Sequence, residues 1–420
     1  MSASDRTVTM TAKRETAMRR AMTIHVETGA DAGKTHEVAV GPIVVGRAEG
    51  VEVRLADPTV SQFHVELDAI DDTVFVSDLG SSNGTFAGEI AIDRGRVPAG
   101  TRIRLGDTVL AVALGAGTKI ERSKATSFGA LVGASPAMRE VYGKLERLAR
   151  ASTGVLIEGE RGTGKELAAR ALHENGPRHA APFLAVDCVA IAPSVTGSLS
   201  TSILGAAAGG TVFFDEVGDL SLVLQSQLLD ALPKHDVRVV GSTSRSLREL
   251  VNRGAFLEGL YLRLAQARIH MPALLEHAED IKPLVQHFLS LLPFDARAAR
   301  AIEPGALEAL ARRTYAGNVR ELRAVVERAA LLAGGPTIES ADLAFGRALE
   351  ARRPSDPLSA EAPIESFKEA KRTVIDEFER EYLERLLSRA GTNVSKAAAL
   401  AGIERQSLRD LLKRHGLREE

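Results

Sequence analysis

The chain has 420 residues, enough for two to four separate cores rather than one. Hydrophobic residues make up 45% and charged residues 26%, an ordinary globular composition, and a net charge of −2 excludes indiscriminate binding to nucleic acid. The longest apolar run, 108–117, is half the ~20 residues a membrane-spanning helix needs, and the single cysteine excludes an internal disulfide framework. With no apolar leader at the N-terminus, these features predict a cytoplasmic chain without a membrane partner. Cys188 is expected to be a small buried hydrophobe beside the apolar run 183–186.

Residues 1–21 are polar and aperiodic and read as a flexible tail. From 22 to 116, short β-rich runs (TIHVET, HEVAV, PIVVG, VEVRL, HVELDAI, TVFVSDL, RIRL, TVLAVAL) are separated by Gly-, Asn- and Asp-containing turns, which predicts an all-β sandwich. A charged linker spans 117–127. Over 128–296 the strands GVLIEG, PFLAV, TVFFDEV and VRVVGSTS alternate with helical stretches, predicting an α/β domain with a mostly parallel sheet. Residues 297–350 read as all helix and 351–366 as a Pro/Ser-rich linker; 367–420 are helical again, giving an all-α end. The fold class expected is therefore multidomain: all-β, then α/β with a helical lid, then all-α.

Within the β-rich block stand Gly46-Arg47, Ser61-Gln62-Phe63-His64 and the run Asp78-Leu-Gly-Ser-Ser82-Asn83-Gly84-Thr85. In this order, between strands, they resemble forkhead-associated (FHA) domains. The resemblance implies that Arg47 and Ser61 hold the phosphate of a phosphothreonine, that Asn83 fixes the peptide backbone and that Ser82 adds a hydroxyl contact. A guanidinium fork with hydroxyl donors suits a near-dianionic phosphate. Gln62 stands where many members carry a base, and His64 is expected to be structural. The implied partner is a phosphothreonine-bearing protein within a Ser/Thr kinase pathway, or the chain's own tail phosphorylated at Thr7, Thr9, Thr11 or Thr16.

The segment Gly159-Glu-Arg-Gly162-Thr163-Gly164-Lys165-Glu166 follows an apolar strand and precedes a helix. This is the P-loop arrangement, in which backbone N–H groups and a helix N-terminus cradle phosphates while Lys165 reaches the terminal ones. Downstream, Thr211-Val-Phe-Phe-Asp215-Glu216 is an apolar strand ending in two acids. Asp215 fits a Mg²⁺ contact through water, and Glu216 the base that orients an attacking water. With Gly133-Ala-Ser-Pro-Ala-Met138 and Tyr315-Ala-Gly-Asn-Val-Arg320-Glu-Leu322, these motifs resemble the AAA+ module of bacterial enhancer-binding proteins, the activators of sigma-54 RNA polymerase. The resemblance implies ATP and Mg²⁺ as cofactors, a homo-oligomer, Arg320 as the lid arginine that senses the γ-phosphate, and Arg263 as the arginine given to a neighbouring subunit.

The chain departs from that family at several positions. The second trans arginine is Leu257, the Asn that restrains the catalytic Glu is Asp187, and the sensor Ala-Thr-Asn reads Ser242-Thr243-Ser244. Between Cys188 and Gly209 there is no Gly-Ala-Phe-Thr-Gly-Ala loop, the family's grip on sigma-54, and no room for the supporting loop before Asp236.

At the C-terminus, Val374, Ile375, Phe378, Tyr382, Leu383, Leu386 and Leu387 make one apolar stripe, expected to be a dimer or inter-helix seam. Asn393 is a candidate N-cap for a helix over 394–401, Gly402 ends it, and a second helix runs over 404–415. Residues 392–420 carry six Lys/Arg against four Asp/Glu. The pair resembles a Fis-type helix-turn-helix, offering Arg405, Gln406 and Arg409 to bases and Ser407 and Lys413 to phosphates of DNA.

The expected function is a DNA-bound transcription regulator that binds ATP and senses phosphothreonine, without direct remodelling of sigma-54 polymerase. Slow ATP hydrolysis is compatible with this reading. The alternatives are a sigma-54-activating ATPase with a non-standard contact loop and a phosphopeptide-docking adaptor with a structural ATP site.

Overall fold

The β-rich block begins earlier than its sequence pattern indicates. In the computed structural model, strand β1 (Met18–Val26) already pairs at Met18 with Lys119 of β11 (Thr108–Lys119), so residues 18–21 belong to the sheet, not the tail. The structure describes residues 18–120, 122–190, 199–292 and 299–343, and in the C-terminal block Leu383, Ala397, Ala398, Ala401 and Arg405–Arg414. The chain falls into two compact units, Met1–Leu343 and Ala344–Glu420. The predicted linker 351–366, Asn393, Gly402 and six of the seven stripe residues lie outside the described residues.

Between β1 and β11 come β2 (Thr35–Val38), β3 (Ile43–Gly46), β4 (Val53–Arg54), β5 (Val65–Ile70), β6 (Thr73–Asp78), β7 (Thr85–Ala87), β8 (Ile90–Ala91), β9 (Arg94–Pro98) and β10 (Arg102–Leu105). They form a mainly antiparallel sandwich resembling the FHA fold, as expected. Period-two burial sets its inside: Val65, Leu67 and Ala69 of β5 face the core, while Glu66, Asp68 and Ile70 alternate outward. Strands β7, β8 and β9 have no counterpart in the sequence pattern, being short, charged or closed by Pro98. Gly46 is required by close approach, since a Cβ there would lie 2.0 Å from the Gln62 carbonyl oxygen. The expected linker is strapped down: Ser123 N–H donates to the Arg139 carbonyl, and the Arg139 guanidinium donates back to Ser123.

After a small hairpin of β12 (Ser127–Phe128) and β13 (Leu131–Val132), the α/β domain is built on five parallel strands. These are β14 (Val155–Glu158), β15 (Phe183–Asp187), β16 (Thr211–Asp215), β17 (Arg238–Thr243) and β18 (Ala267–His270), in the order β15-β16-β17-β14-β18. Their continuous apolar runs suit burial on both faces. The helices are α1 (Pro136–Ala149), capped by the Ser135 hydroxyl, α2 (Lys165–Glu174), α3 (Leu199–Ala206), α4 (Leu222–Ala231), α5 (Leu247–Asn252) and α6 (Glu258–Leu264).

The helical lid has one core that runs from Leu274 to Ile338, so it begins well before the expected residue 297. It contains α7 (Ile281–Leu291), α8 (Pro304–Arg312) and α9 (Asn318–Leu332). It is not all helix: β19 (Ala301–Ile302) and β20 (Thr337–Ile338) pair in parallel, a contact between segments too short to leave a periodic pattern. In the second unit, α10 (Arg405–Arg414) buries Leu408 and Leu412 against Leu383, Ala397 and Ala398. No helix among the described residues is long and apolar enough to cross a membrane.

Candidate nucleotide and phosphopeptide sites

The loop between β14 and α2 is shaped by backbone that favours glycine. Gly159, Gly162 and Gly164 have φ of 155°, 81° and 94°. A Cβ at Gly162 would meet the Gly317 carbonyl oxygen at 2.1 Å. Lys165 opens α2 with its side chain buried, and its ammonium donates to the carbonyls of Gly159 (2.9 Å) and Glu160 (3.2 Å). The result is a narrow cradle of N–H groups at a helix N-terminus, suited to a polyphosphate. Thr163 is buried and its hydroxyl donates to the Glu160 carbonyl; Glu166 is exposed and lies 3.6 Å from Arg170.

Across the cradle, Glu216 sits 3.1 Å from the Lys165 ammonium in left-handed backbone, φ 55°. Its other oxygen accepts from both the N–H and the hydroxyl of Ser244, each at 2.8 Å. Burial pushes the Glu216 carboxyl up, but the Ser244 donors and Lys165 outweigh it and hold the group below its ordinary value. Asp215 accepts from the Ser242 hydroxyl, whose oxygen also accepts the Glu216 N–H. Asp187, in the place of the family's restraining Asn, instead accepts from Val189 N–H at 2.9 Å and closes its own turn. Ser242 and Ser244 therefore hold the two acids. The sequence marks them only as departures from a family pattern. Burial pushes the Cys188 thiol up, as befits a packed side chain rather than a nucleophile.

The lid closes over this cradle through Asn318. Its side chain donates to Glu160 Oε2 (2.9 Å) and the Arg161 carbonyl (3.1 Å) and accepts from Leu274 N–H (2.7 Å). Arg320 follows on α9, its N–H donating to the Gly162 carbonyl. Arg263 is exposed, and its backbone lies against Gly154 at the N-terminal end of β14, whereas the P-loop leaves the C-terminal end. Four strand residues, about 13 Å, separate the two. Leu257 is half-buried and packs against the core.

In the sandwich, the four expected phosphopeptide residues converge. Arg47 Nε donates to the Val60 carbonyl at 2.5 Å, and Ser61 Oγ accepts the Ser82 N–H at 3.0 Å. Asn83 donates to the Thr59 carbonyl at 2.7 Å. Arg47, Ser82 and Asn83 are exposed and Ser61 lies at the floor of the group. His64 is fully buried and structural: Nδ1 accepts from Ser61 N–H, so Nε2 carries the proton toward the Gly84 carbonyl. Burial holds its pKa down, against the bond to Gly84 and the charges of Asp78 and Asp57.

The sandwich is packed directly on the α/β domain. Val44, Ala48, Phe63 and Leu79 share one buried cluster with Leu250, Phe256, Leu260 and Tyr261, and the rings of Phe63 and Tyr261 meet edge-on at 4.9 Å. Outward-facing Glu66 bridges Arg248 (2.7 Å) and Arg268 (3.0 Å). Despite its burial, the two guanidinium groups hold the Glu66 carboxyl down to about 2. Gln62, where many FHA domains carry a base, donates to Glu258 at 3.2 Å. A cleft of about 680 Å³ between Arg94 and Arg96 of β9 and Gly159, Glu160 and Ser244 leaves the edge of the nucleotide cradle open. Glu66, Arg248, Arg268 and Asn252 of this seam stand in no recognisable motif.

On α10, Gln406, Ser407, Arg409 and Lys413 are exposed on the side opposite Leu408 and Leu412; the Arg405 side chain lies outside the description. This leaves one polar and basic face of the helix turned to solvent.

Family models match in the order of these parts. Residues 25–114 match the cytoplasmic domain of an inner membrane component of the T3SS, and 131–270 the sigma-54 interaction domain. The AAA+ ATPase lid domain matches 275–361, and the bacterial regulatory protein Fis family 374–415. The chain is 36% identical over 326 residues to the DNA-binding transcriptional regulator NtrC of Azospirillum brasilense, spanning 66% of this chain and 68% of the relative. It is 33% identical to the transcriptional regulatory protein ZraR of Salmonella typhi, over 70% of each chain. Among solved structures, NtrX from Brucella abortus in complex with ATP is 30% identical over 70% of each chain, with a TM-score of 0.49. An FHA domain solved in a study of phosphothreonine-dependent interactions is 27% identical, covering 23% of this chain and 98% of its own, with a TM-score of 0.21. By its identity to NtrC and the succession of sigma-54 interaction domain, AAA+ lid and Fis-type end, the chain belongs to the family of sigma-54 enhancer-binding, DNA-binding transcription regulators.

Proposed function

We propose that this regulator binds ATP at residues 159–166, reads phosphothreonine through Arg47, Ser61, Ser82 and Asn83, and does not open sigma-54 promoters by itself. The observation that carries the last part is the segment 190–209 (AIAPSVTGSLSTSILGAAAG), which has no Phe and no charged residue with which to grip a partner. Transmitting force needs an element whose contacts differ between nucleotide states. The missing support loop before Asp236 points the same way.

The nucleotide reading rests on the glycine cradle, which a Cβ would fill, and on the buried Lys165 at its centre. When bound, ATP supplies a phosphoanhydride and Asp215 would hold Mg²⁺ through water. With ATP bound, Lys165, now 3.1 Å from Glu216, would reach the terminal phosphates, and Glu216 would orient the attacking water. Arg320, whose backbone joins the lid to Gly162, would sense the γ-phosphate. The placement of Arg263 at the far end of β14 supports action on a neighbouring subunit's nucleotide, hence a homo-oligomer. With Leu257 in the place of the second arginine, turnover is slow, because a finger arginine supplies roughly 10³–10⁵ in rate in some phosphoryl-transfer systems. On α10, Arg405, Gln406, Arg409, Ser407 and Lys413 form the DNA face.

The test is transcription reconstituted with sigma-54 polymerase, a promoter bearing the regulator's site, and ATP. We expect occupied DNA and no open complex above background. Open-complex formation that disappears in Lys165→Ala overturns the proposal in favour of an activator with a different contact loop. For the sandwich, Arg47→Ala is expected to weaken phosphothreonine-peptide binding about tenfold or more.

A further inference from the structure

We infer that Asn252, at the end of α5 in the ATP-binding domain, is a positioning residue for phosphothreonine recognition, so that peptide binding and docking of the sandwich strengthen each other. This rests on the phosphothreonine reading of Arg47, Ser61, Ser82 and Asn83.

Two loops of the sandwich carry that site. Residues 55–64 bring Ser61, and residues 79–84 bring Ser82 and Asn83. The loops are tied to each other at the site by Ser82 N–H to Ser61 Oγ and by Asn83 to the Thr59 carbonyl. At their roots both are tied to a single side chain from the other domain. The Asn252 amide donates to the carbonyls of Phe63 (2.6 Å) and Leu79 (3.0 Å), and its oxygen accepts from Phe63 N–H at 3.1 Å. Phe63 is two residues beyond Ser61, and Leu79 three before Ser82, so one carboxamide fixes the spacing of the loops that must close on a phosphate. A preorganised site spends less of its interaction on ordering.

The sign of the coupling follows from exposure. Arg47, Ser82 and Asn83 remain exposed while the sandwich is docked, so docking fixes the site without covering it. By linkage, a peptide that holds the two loops at this spacing must favour the docked state by the same factor. The docked surface is α5 and α6: Phe63 meets Tyr261, and Gln62 meets Glu258. Arg263 lies two residues beyond Tyr261, so this coupling reaches the helix that carries it.

The experiment uses the full chain and an oriented phosphothreonine peptide library with its unphosphorylated counterpart as probes. Asn252→Ala removes all three bonds. Asn252→Asp keeps the acceptor for Phe63 N–H and loses both donors, with little change in shape. Each variant is first shown to bind a slowly hydrolysed ATP analogue as the parent does. We expect both to bind the phosphopeptides about tenfold more weakly, within the usual range of coupling between sites. We also expect saturating phosphopeptide to slow amide exchange across Leu247–Leu264 in the parent and not in Asn252→Ala, a reciprocal effect that a general loss of stability does not produce. Parent-like affinity in both variants, with binding lost in Arg47→Ala, overturns this inference and leaves the phosphothreonine reading intact. Faster exchange on peptide binding overturns its sign. Equal binding of phosphorylated and unphosphorylated peptides by the parent removes the phosphothreonine reading and this inference with it.

Discussion

The nucleotide cradle and the seam between sandwich and ATP-binding domain are built by opposite means. The cradle comes from eight consecutive residues, 159–166, whose positive-φ glycines and helix start are local properties of the chain. The seam joins Glu66 to Arg248 and Arg268, and Phe63 to Asn252 and Tyr261, over separations of 182 to 202 residues. A cradle made from backbone tolerates changes around it. A seam made from side chains of two domains transmits changes from one to the other. The same molecule thus has a site built from one stretch of chain at one place and, at the other, a surface that exists only where two domains meet.

Five measurements break or sharpen that contrast. The largest effect is expected at the seam. Glu66→Ala leaves two guanidinium groups facing each other without their shared carboxylate and should cost about 3 kcal/mol of stability, read from denaturant unfolding. The ion triad also has a pH signature. The Glu66 carboxyl is held at about 2 in the folded state against an ordinary 4.5, so its contribution is fully present above 4.5 and is lost as pH falls through about 2. Glu66→Gln should abolish that part of the acid response.

Next comes the cradle. Lys165→Ala should weaken binding of a slowly hydrolysed ATP analogue about 100-fold, measured by calorimetry, with unfolding of the sandwich unchanged. Binding retained within a few-fold would show that backbone groups alone hold the phosphates.

A smaller effect is expected at Ser244. Its hydroxyl is one of the donors that keep Glu216 ionised, so Ser244→Ala should raise the carboxyl's pKa and move the acid limb of ATP hydrolysis upward. An unmoved limb would mean that the residue 244 N–H and Lys165 hold the charge of Glu216 without the hydroxyl.

The smallest effect concerns His64. Its folded pKa lies below the ordinary 6.5, so the unfolded chain takes up the proton first. Stability from this residue is therefore present above 6.5 and is lost as pH falls below it. Thermal unfolding between pH 7.5 and 5.5 should show a fall of a few degrees at most that His64→Gln lacks. A parent and variant with equal slopes would remove His64 from the account.

Much of this molecule was legible in its residues. The P-loop, the acids at the end of β16 and the three FHA motifs were readable because glycine conformation, strand alternation and phosphate chemistry are local constraints. The sandwich and the parallel sheet followed from the same periodicities, and the Fis-type end from its resemblance to a helix-turn-helix. Strands β7, β8, β9 and β18 escaped because they are short and hold their place through neighbours rather than through pattern. The lid's start at Leu274 escaped too, since a helix does not announce which core it joins.

The sequence by itself determined which domains the chain contains and which groups are candidates for a nucleotide and a phosphorylated peptide. Only the tertiary structure decided what those groups are tied to. Ser244, read from the sequence as a lost sensor, takes up Glu216, while Asp187 turns away to Val189. Gln62, which stands where many FHA domains carry a base, faces Glu258. Asn252 stands in no motif, yet it binds both recognition loops. The reason is that a side chain's partner depends on where two distant segments meet in space, and that is fixed by burying the whole core, not by the few residues on either side.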